Sequence, residues 1–429
     1  MKLSRYTKVY PSPDSADSVI LFSTKRASAV LVPKDLLADI EAGRLSGEEQ
    51  AELAGLGLIA TDHAAERQEM LSYIQDLNAR DRTMKFIVVL NLDCNLACRY
   101  CFEGTRKGKK YLSDEVAARF VEFVRTRDYA DKDEIRITFY GGEPLLSVDR
   151  VAEISGRIGS FAEGRGMRYR FSLVTNGVLL TPQAVKRLRP LGLASAKVTL
   201  DGPKDVHDAF RPFKGGAGSF DVILRHLGEV ADVIRIQLGG NYTKDSYRRF
   251  PGLLDLLRER GLGPDRIAAV KFDPVMNESS EFALPDFRDG CSSMDEPWVT
   301  EASVQLREEI LKRGYATPKT MPSPCMMERD HSFVMDHDGI LYKCPGLIGR
   351  QGCSVGDVRS GTAPCRDSHG LDDWKNEECL ACAYLPLCFG GCKYQKIVRE
   401  NSMRGVQCQK AYFDRVLGPL VAQDIRYGL

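Results

Sequence analysis

Thirteen cysteines, placed unevenly, constrain this chain more than any other feature of its 429 residues. Cys94, Cys98 and Cys101 stand together, none follows up to position 290, and the remaining ten run from Cys291 to Cys408. The start, Met1-Lys2-Leu3-Ser4-Arg5-Tyr6, leads into charged and Pro/Ser-containing sequence without an apolar signal core. No apolar run approaches the ~18 residues of a spanning helix. The chain therefore reads as cytoplasmic, where thiols serve metal or redox chemistry rather than disulfides. Two separate metal regions are expected.

The length suggests two or three domains and a core able to enclose a site. With 43% hydrophobic and 28% charged residues the chain is neither disordered nor membrane-embedded. Its formal charge of +1, from 60 basic and 59 acidic residues, gives no bulk attraction to nucleic acid or an anionic membrane, so neither is expected as a partner.

Between the cysteine groups, β-branched runs alternate with helical patterns. Strands are expected at 86–92, 135–140, 169–174, 196–200, 233–238 and 267–272, and helices at 114–127, 149–163, 182–190, 219–231 and 246–260. Thr181 before Pro182 reads as an N-cap with proline at the first helical position. This alternation predicts a parallel sheet, closed or partly closed as a barrel, with chemistry in the loops after the strands. Residues 1–80 instead suggest short strands at 18–22 and 28–32, then helices at 34–41 and 47–55, a small winged-helix-like module or a plain cap. Prolines mark 276–324 as a bridge.

The spacing C-x3-C-x2-C after the first strand lets three thiolates converge at the barrel mouth. Three ligands leave one iron of a four-iron cluster open, since such a cluster ordinarily takes four cysteines. A zinc site is the alternative, though zinc prefers C-x2-C pairs and four protein ligands. The motif resembles that of the radical S-adenosylmethionine (SAM) family, and the resemblance extends along the chain. Tyr100 stands where the family places an aromatic residue against the SAM adenine. Gly141-Gly142-Glu143-Pro144 follows the second strand like the family segment that receives the SAM amino group. Asn176, ending the third strand, and Thr199, ending the fourth, resemble family positions near the SAM methionine and ribose. The resemblance implies SAM and a 4Fe-4S cluster as cofactors, and a one-electron cleavage that yields a 5′-deoxyadenosyl radical. Asp201 is read as a turn residue, and His207 and Arg211 as loop-packing or ion-pairing residues.

Beyond the bridge, Cys325, Gly339, Cys344, Cys379, Cys382, Cys388, Cys392 and Cys408 resemble in order and spacing the SPASM domain of radical SAM peptide maturases. This implies two auxiliary 4Fe-4S clusters: Cys379, Cys382, Cys388 and Cys408 around the distal one, Cys325, Cys344 and Cys392 around the proximal one. Its fourth ligand is Cys291, Cys353, Cys365 or none. A zinc ribbon from Cys379, Cys382, Cys388 and Cys392 is the alternative. The fold class implied is α/β, a partial (β/α)6 radical SAM barrel at 81–275, with the N-terminal winged-helix-like module at 1–80 and a C-terminal SPASM iron-sulfur domain at 325–429.

Pro345 stands where sulfatase-maturating SPASM enzymes carry an aspartate, and a cysteine they place shortly before the one matching Cys325 is missing. Sulfatase maturation is therefore disfavoured. The expected function is maturation of a ribosomally made, cysteine-bearing precursor peptide by thioether formation, similar to the ranthipeptide and geopeptide enzymes. Carbon-carbon or carbon-oxygen coupling, oxidation of a protein residue, and a non-catalytic iron-sulfur carrier or scaffold are the alternatives. The implied partners are the precursor, with its leader and cysteine-bearing core, and an electron donor such as flavodoxin or ferredoxin. The basic run Arg106-Lys107-Gly108-Lys109-Lys110 is read as a solvated loop.

Overall fold

Runs of β-branched and aromatic residues favour extended backbone, and in the computed structural model each of the six forms a strand. They span Thr83–Val89, Glu134–Tyr140, Arg168–Thr175, Leu193–Thr199, Arg235–Tyr242 and Ile267–Pro274. They pair in parallel, each beside its predecessor in sequence. The structure describes residues 1–277 and 282–429, so residues 278–281 of the expected bridge lie outside the described residues.

Helices Asp114–Arg125, Val148–Glu163, Pro182–Leu188, Phe220–Val230 and Phe250–Glu259 fill the gaps between strands. The first shows why. Ser113 caps it, accepting from Val116 N–H at 3.2 Å, and Val116, Phe120, Phe123 and Val124 bury one face. The Phe86 ring meets Phe120 edge-on at 5.6 Å. Replacing Phe120 with alanine there costs about 3–5 kcal/mol. Thr181 caps its helix in the same way, with Pro182 in the first turn.

The sheet does not close. The outer side of the first strand pairs in parallel with Ser332–Met335, Phe86 opposite Phe333, and the sheet runs on through Ile340–Tyr342. The barrel is thus partial, and residues 330–365, grouped with the C-terminal cysteines on sequence, extend its sheet. Contacts divide the chain into two units: Asp81–Thr317 with Asp330–Cys365, and Met1–Arg80 with Pro318–Arg329 and Arg366–Leu429.

The second unit carries an antiparallel sheet of Thr7–Pro11, Ser18–Ser23 and Ala29–Pro33. Helices Lys34–Ala42 and Gly47–Gly55 follow, the latter with a Ser46–Glu49 capping box. Its apolar clusters are small: Ile20 and Phe22 pack with Phe413 and Leu417, and Tyr6 and Met70 with Trp374 and Phe389. Helix His63–Arg80 escapes sequence reading because two of its four buried residues, Glu66 and Asn78, are polar. Helix Lys410–Arg426 escapes it because Pro419 sits inside.

Candidate functional site

The first strand ends three residues earlier than its apolar run. Leu90 and Leu92 remain buried because residues 90–92 bond the returning segment 110–112: Leu92 N–H meets the Lys110 carbonyl at 2.9 Å and Leu112 N–H the Leu90 carbonyl at 2.8 Å. The chain then enters the cysteine loop, anchored by Ala97 N–H on Pro212 O (2.8 Å) and Arg99 N–H on Phe210 O (3.0 Å).

Two N–H groups approach the Cys94 sulfur, Leu96 N–H at 3.4 Å and Asn176 Nδ2 at 3.6 Å. Asn176 Nδ2 also donates to Asn95 Oδ1 at 2.7 Å, and its Oδ1 accepts from Val178 N–H at 2.9 Å. Asn176, assigned to SAM on sequence, thus holds the cysteine loop with its side chain. Lys107 lies close enough to Cys94, Cys98 and Cys101 to feel all three. Burial pushes the Cys101 thiol up to about 11, so the free thiol is protonated at neutral pH and metal binding must release that proton.

The Gly-Gly-Glu segment packs against the backbone that enters the cysteine loop. A Cβ on Gly141 would lie 2.3 Å from Asn91 O, and one on Gly142 2.1 Å from Asp93 O. Both glycines therefore admit the backbone entering the cysteine loop, locked by Gly142 N–H on Asn91 O (3.0 Å) and Glu143 N–H on Asp93 O (2.8 Å). The fully buried Glu143 carboxylate accepts from Leu145 N–H (3.0 Å), Thr175 Oγ1 (2.7 Å) and Asn176 N–H (2.8 Å). Burial raises its pKa against the pull of these donors. Its side chain ties the second and third strand ends together.

A second hub forms at the fourth and fifth strand ends. The Tyr100 hydroxyl donates to Asp201 and accepts from Arg211 Nη1 (2.8 Å) and Asn241 Nδ2 (3.0 Å). Asp201 also accepts from Asn241 N–H at 2.7 Å, and Arg211 pairs with it at 3.7 Å. Burial holds the His207 imidazole well below its ordinary pKa, hence neutral. Its Nδ1 accepts from Asp201 N–H (3.1 Å), leaving the proton on Nε2, which faces Ser219 Oγ at 3.0 Å. Asp201, His207 and Arg211 form one buried network, in which the ion pair read for Arg211 is with Asp201. Thr199, half-buried, ends the fourth strand opposite Gly239.

Sequence reasoning missed Asn95 and Asn241. The signal for Asn241 was a polar residue after Gly239-Gly240 at a strand's end.

Three features fit these residues to a cluster with an open iron and a ligand beside it. Three thiols converge, N–H donors face the Cys94 sulfur, and the buried Arg211 Nε has no partner among the described residues, so an anionic group bound there would satisfy it.

The distal cysteines tell a similar story in the other unit. Cys379, Cys382, Cys388 and Cys408 line one cavity of about 410 Å³, together with Tyr384 and Lys410. Asn376 caps the short helix Glu377–Leu380 through Cys379 N–H (2.9 Å) and donates to the Cys379 sulfur at 3.6 Å. Burial pushes Cys325 up to about 11, with Cys392 of the same unit adding to the rise. Cys344 follows strand Ile340–Tyr342 of the barrel unit. Of the candidates for the fourth proximal ligand, Cys291 and Cys353 are buried and Cys365 half-buried.

Residues 88–261 match the model of the Radical SAM superfamily. Fe-coproporphyrin III synthase of Methanosarcina barkeri is 32% identical over 180 residues, 41% of either chain. The serine-type anaerobic sulfatase-maturating enzyme of Bacteroides thetaiotaomicron is 24% identical over 347 residues, 71% of this chain and 81% of that one. Among solved structures, anSMEcpe with bound AdoMet and Kp18Cys peptide superposes with a TM-score of 0.64 at 18% identity, covering 81% of this chain and all of that one. SuiB of Streptococcus suis bound to precursor peptide SuiA gives 0.54 at 13%, covering 95% and 98%. At these identities the structures share the fold. Sulfatase-maturating enzymes, disfavoured on sequence from Pro345, are among the matched proteins. No helix among the described residues is long and apolar enough to cross a membrane.

Proposed function

We propose that this chain is a radical SAM maturase of a cysteine-bearing precursor peptide and that it joins a cysteine sulfur to carbon. The observation that carries the reading is the pairing of two unlike thiol sets, three at the barrel mouth and four around one cavity. Three thiolates leave room for a small chelating ligand, and four close off a cluster that does not bind one. Cys94, Cys98 and Cys101 would hold the first cluster. Cys379, Cys382, Cys388 and Cys408 would hold one auxiliary cluster, and Cys325 and Cys392 of the same unit would ligate another. When bound, the first cluster and SAM supply the one-electron cleavage that makes a hydrogen-abstracting radical.

The chain's own residues do the rest. Tyr100, Asn176, Thr199 and the 141–143 backbone border the SAM position, Arg211 offers its buried N–H to an anionic group, and the apolar barrel interior keeps water from the radical. The antiparallel sheet's outer strands, Thr7–Pro11 and Ala29–Pro33, offer edges to which a peptide leader adds as a strand. Flavodoxin or ferredoxin would supply the electron, in the cytoplasm.

Incubating anaerobically reconstituted protein with SAM and dithionite should release 5′-deoxyadenosine; a non-catalytic iron-sulfur carrier would release none. The likeness to sulfatase-maturating enzymes favours a second reading, oxidation of a single protein residue. Tandem mass spectrometry of a treated cysteine-bearing peptide separates the two: a thioether joins two residues with loss of two hydrogens per link, whereas the alternative changes one residue alone.

A further inference from the structure

Only part of the basic run at 106–110 forms the solvated loop its sequence suggests: Lys109 and Lys110 are exposed, Arg106 and Lys107 half-buried. Arg106 folds back on its own turn, with Nε on Glu103 O at 3.3 Å and Nη2 on Phe102 O at 3.1 Å. Gly104, at φ +51°, packs so closely on Phe282 O that a Cβ would lie 1.6 Å from it. This fixed turn delivers Lys107 inward, where its ammonium donates to Leu96 O at 3.1 Å. Leu96 stands between Cys94 and Cys98, and its own N–H points at the Cys94 sulfur. One residue's backbone thus faces a sulfur through its N–H and the ammonium through its carbonyl. Lys107 and Cys98 also line the same cavity, of about 400 Å³.

We propose that Lys107 sets the reduction potential of the cluster held by Cys94, Cys98 and Cys101 by keeping a fixed positive charge beside its thiolates. The inference rests on the reading of the site given above. An oxidised four-iron core of charge +2 with three thiolates carries −1, and accepting one electron from the external donor makes it −2, with no bond made or broken. A cation held close in a partly desolvated loop stabilises the more negative state, so the cluster is easier to reduce. Glu103, buried beside the same turn, where burial raises its pKa to about 7, opposes this with only part of a negative charge, whereas Lys109 and Lys110 are exposed and solvated.

The test is a redox titration of reconstituted full-length protein followed by electron paramagnetic resonance. The signal to follow is the one that SAM perturbs and that replacement of Cys94, Cys98 and Cys101 by alanine removes. K107Q is expected to keep its iron, while the ratio of reduced to oxidised cluster at a fixed potential falls about tenfold, a 59 mV shift for one electron. K107R keeps the charge and is expected to stay within about threefold of the unaltered protein. An unmoved midpoint in K107Q overturns the proposal. So does a K107R shift as large as that of K107Q, which would trace the effect to loop geometry. If K107Q and K107M both fail to take up iron where K107R succeeds, the lysine serves assembly instead, and the proposal also falls. A SAM-perturbed signal that survives loss of the three cysteines would refute the assignment of the site itself.

Discussion

Cys94, Cys98 and Cys101 leave the end of a strand whose neighbours are strands on both sides, above a core containing Phe86, Phe120, Phe139 and Phe171. Cys379, Cys382 and Cys388 stand on helices of four residues and the turns between them, with only small apolar clusters nearby. In the first region the sheet positions the thiols, and a metal would bind to a loop already in place. In the second, the four sulfurs line a cavity with little apolar packing around it, so ligation of a cluster there would supply folding energy that apolar burial does not. One chain thus uses cysteine both as a reactive fitting on a rigid frame and as the frame.

Replacing Cys94, Cys98 and Cys101 together by alanine should be the sharpest separation of the two. Production of 5′-deoxyadenosine is expected to vanish while iron falls from about twelve to about eight per chain, taking four irons per cluster. Loss of all the iron would mean that the regions are not independent and would break the comparison.

Removing the metal tests the other half. After anaerobic chelation, amides at 379–392 are expected to exchange with deuterium about a hundredfold faster, while those of Glu134–Tyr140 keep their protection. Equal loss in both would show that the sheet also depends on its cluster.

Two glycine substitutions sharpen the account of the first region. In G142A the new Cβ would press on Asp93 O and C, backbone atoms that cannot swing aside, and the expected cost is about 3 kcal/mol with most SAM cleavage lost. Gly156, inside helix Val148–Glu163, has open space around it, and G156A should stabilise by about 0.5–1 kcal/mol. Urea unfolding of both variants checks the pair; a mild G142A would remove the tight fit between the second-strand loop and the cysteine loop.

The sheet was legible because each strand advertises itself locally, with β-branched residues between turns, and because cysteine spacing is a property of sequence. What the side chains of the site do was less legible, since it is decided by partners distant in the chain. Nothing near Glu143 announces that Thr175 and Asn176 will take its carboxylate. Nothing near Tyr100 announces Asn241. Lys107 misled because a run of basic residues ordinarily faces water, and only the turn at Gly104 aims this one inward.

The smallest expected effect lies in the second region, at the ion pair between Arg366 and Asp372. Arg366 binds Asp372 in bidentate fashion, Nε to Oδ2 at 2.9 Å and Nη2 to Oδ1 at 2.8 Å, and also reaches Glu328 at 3.1 Å. These hydrogen bonds hold the Asp372 carboxyl down at about 2. A carboxyl whose pKa is depressed by folding stabilises above its unfolded value near 4, and that contribution drains away as pH falls from about 4 to about 2. Because 40% of the side chain is exposed, solvent screening limits the effect to about 1 kcal/mol. D372N should therefore unfold at a lower urea concentration than the unaltered protein, by the same margin at pH 7 and at pH 5. A margin that fades within that interval would assign the stabilisation to a group other than Asp372.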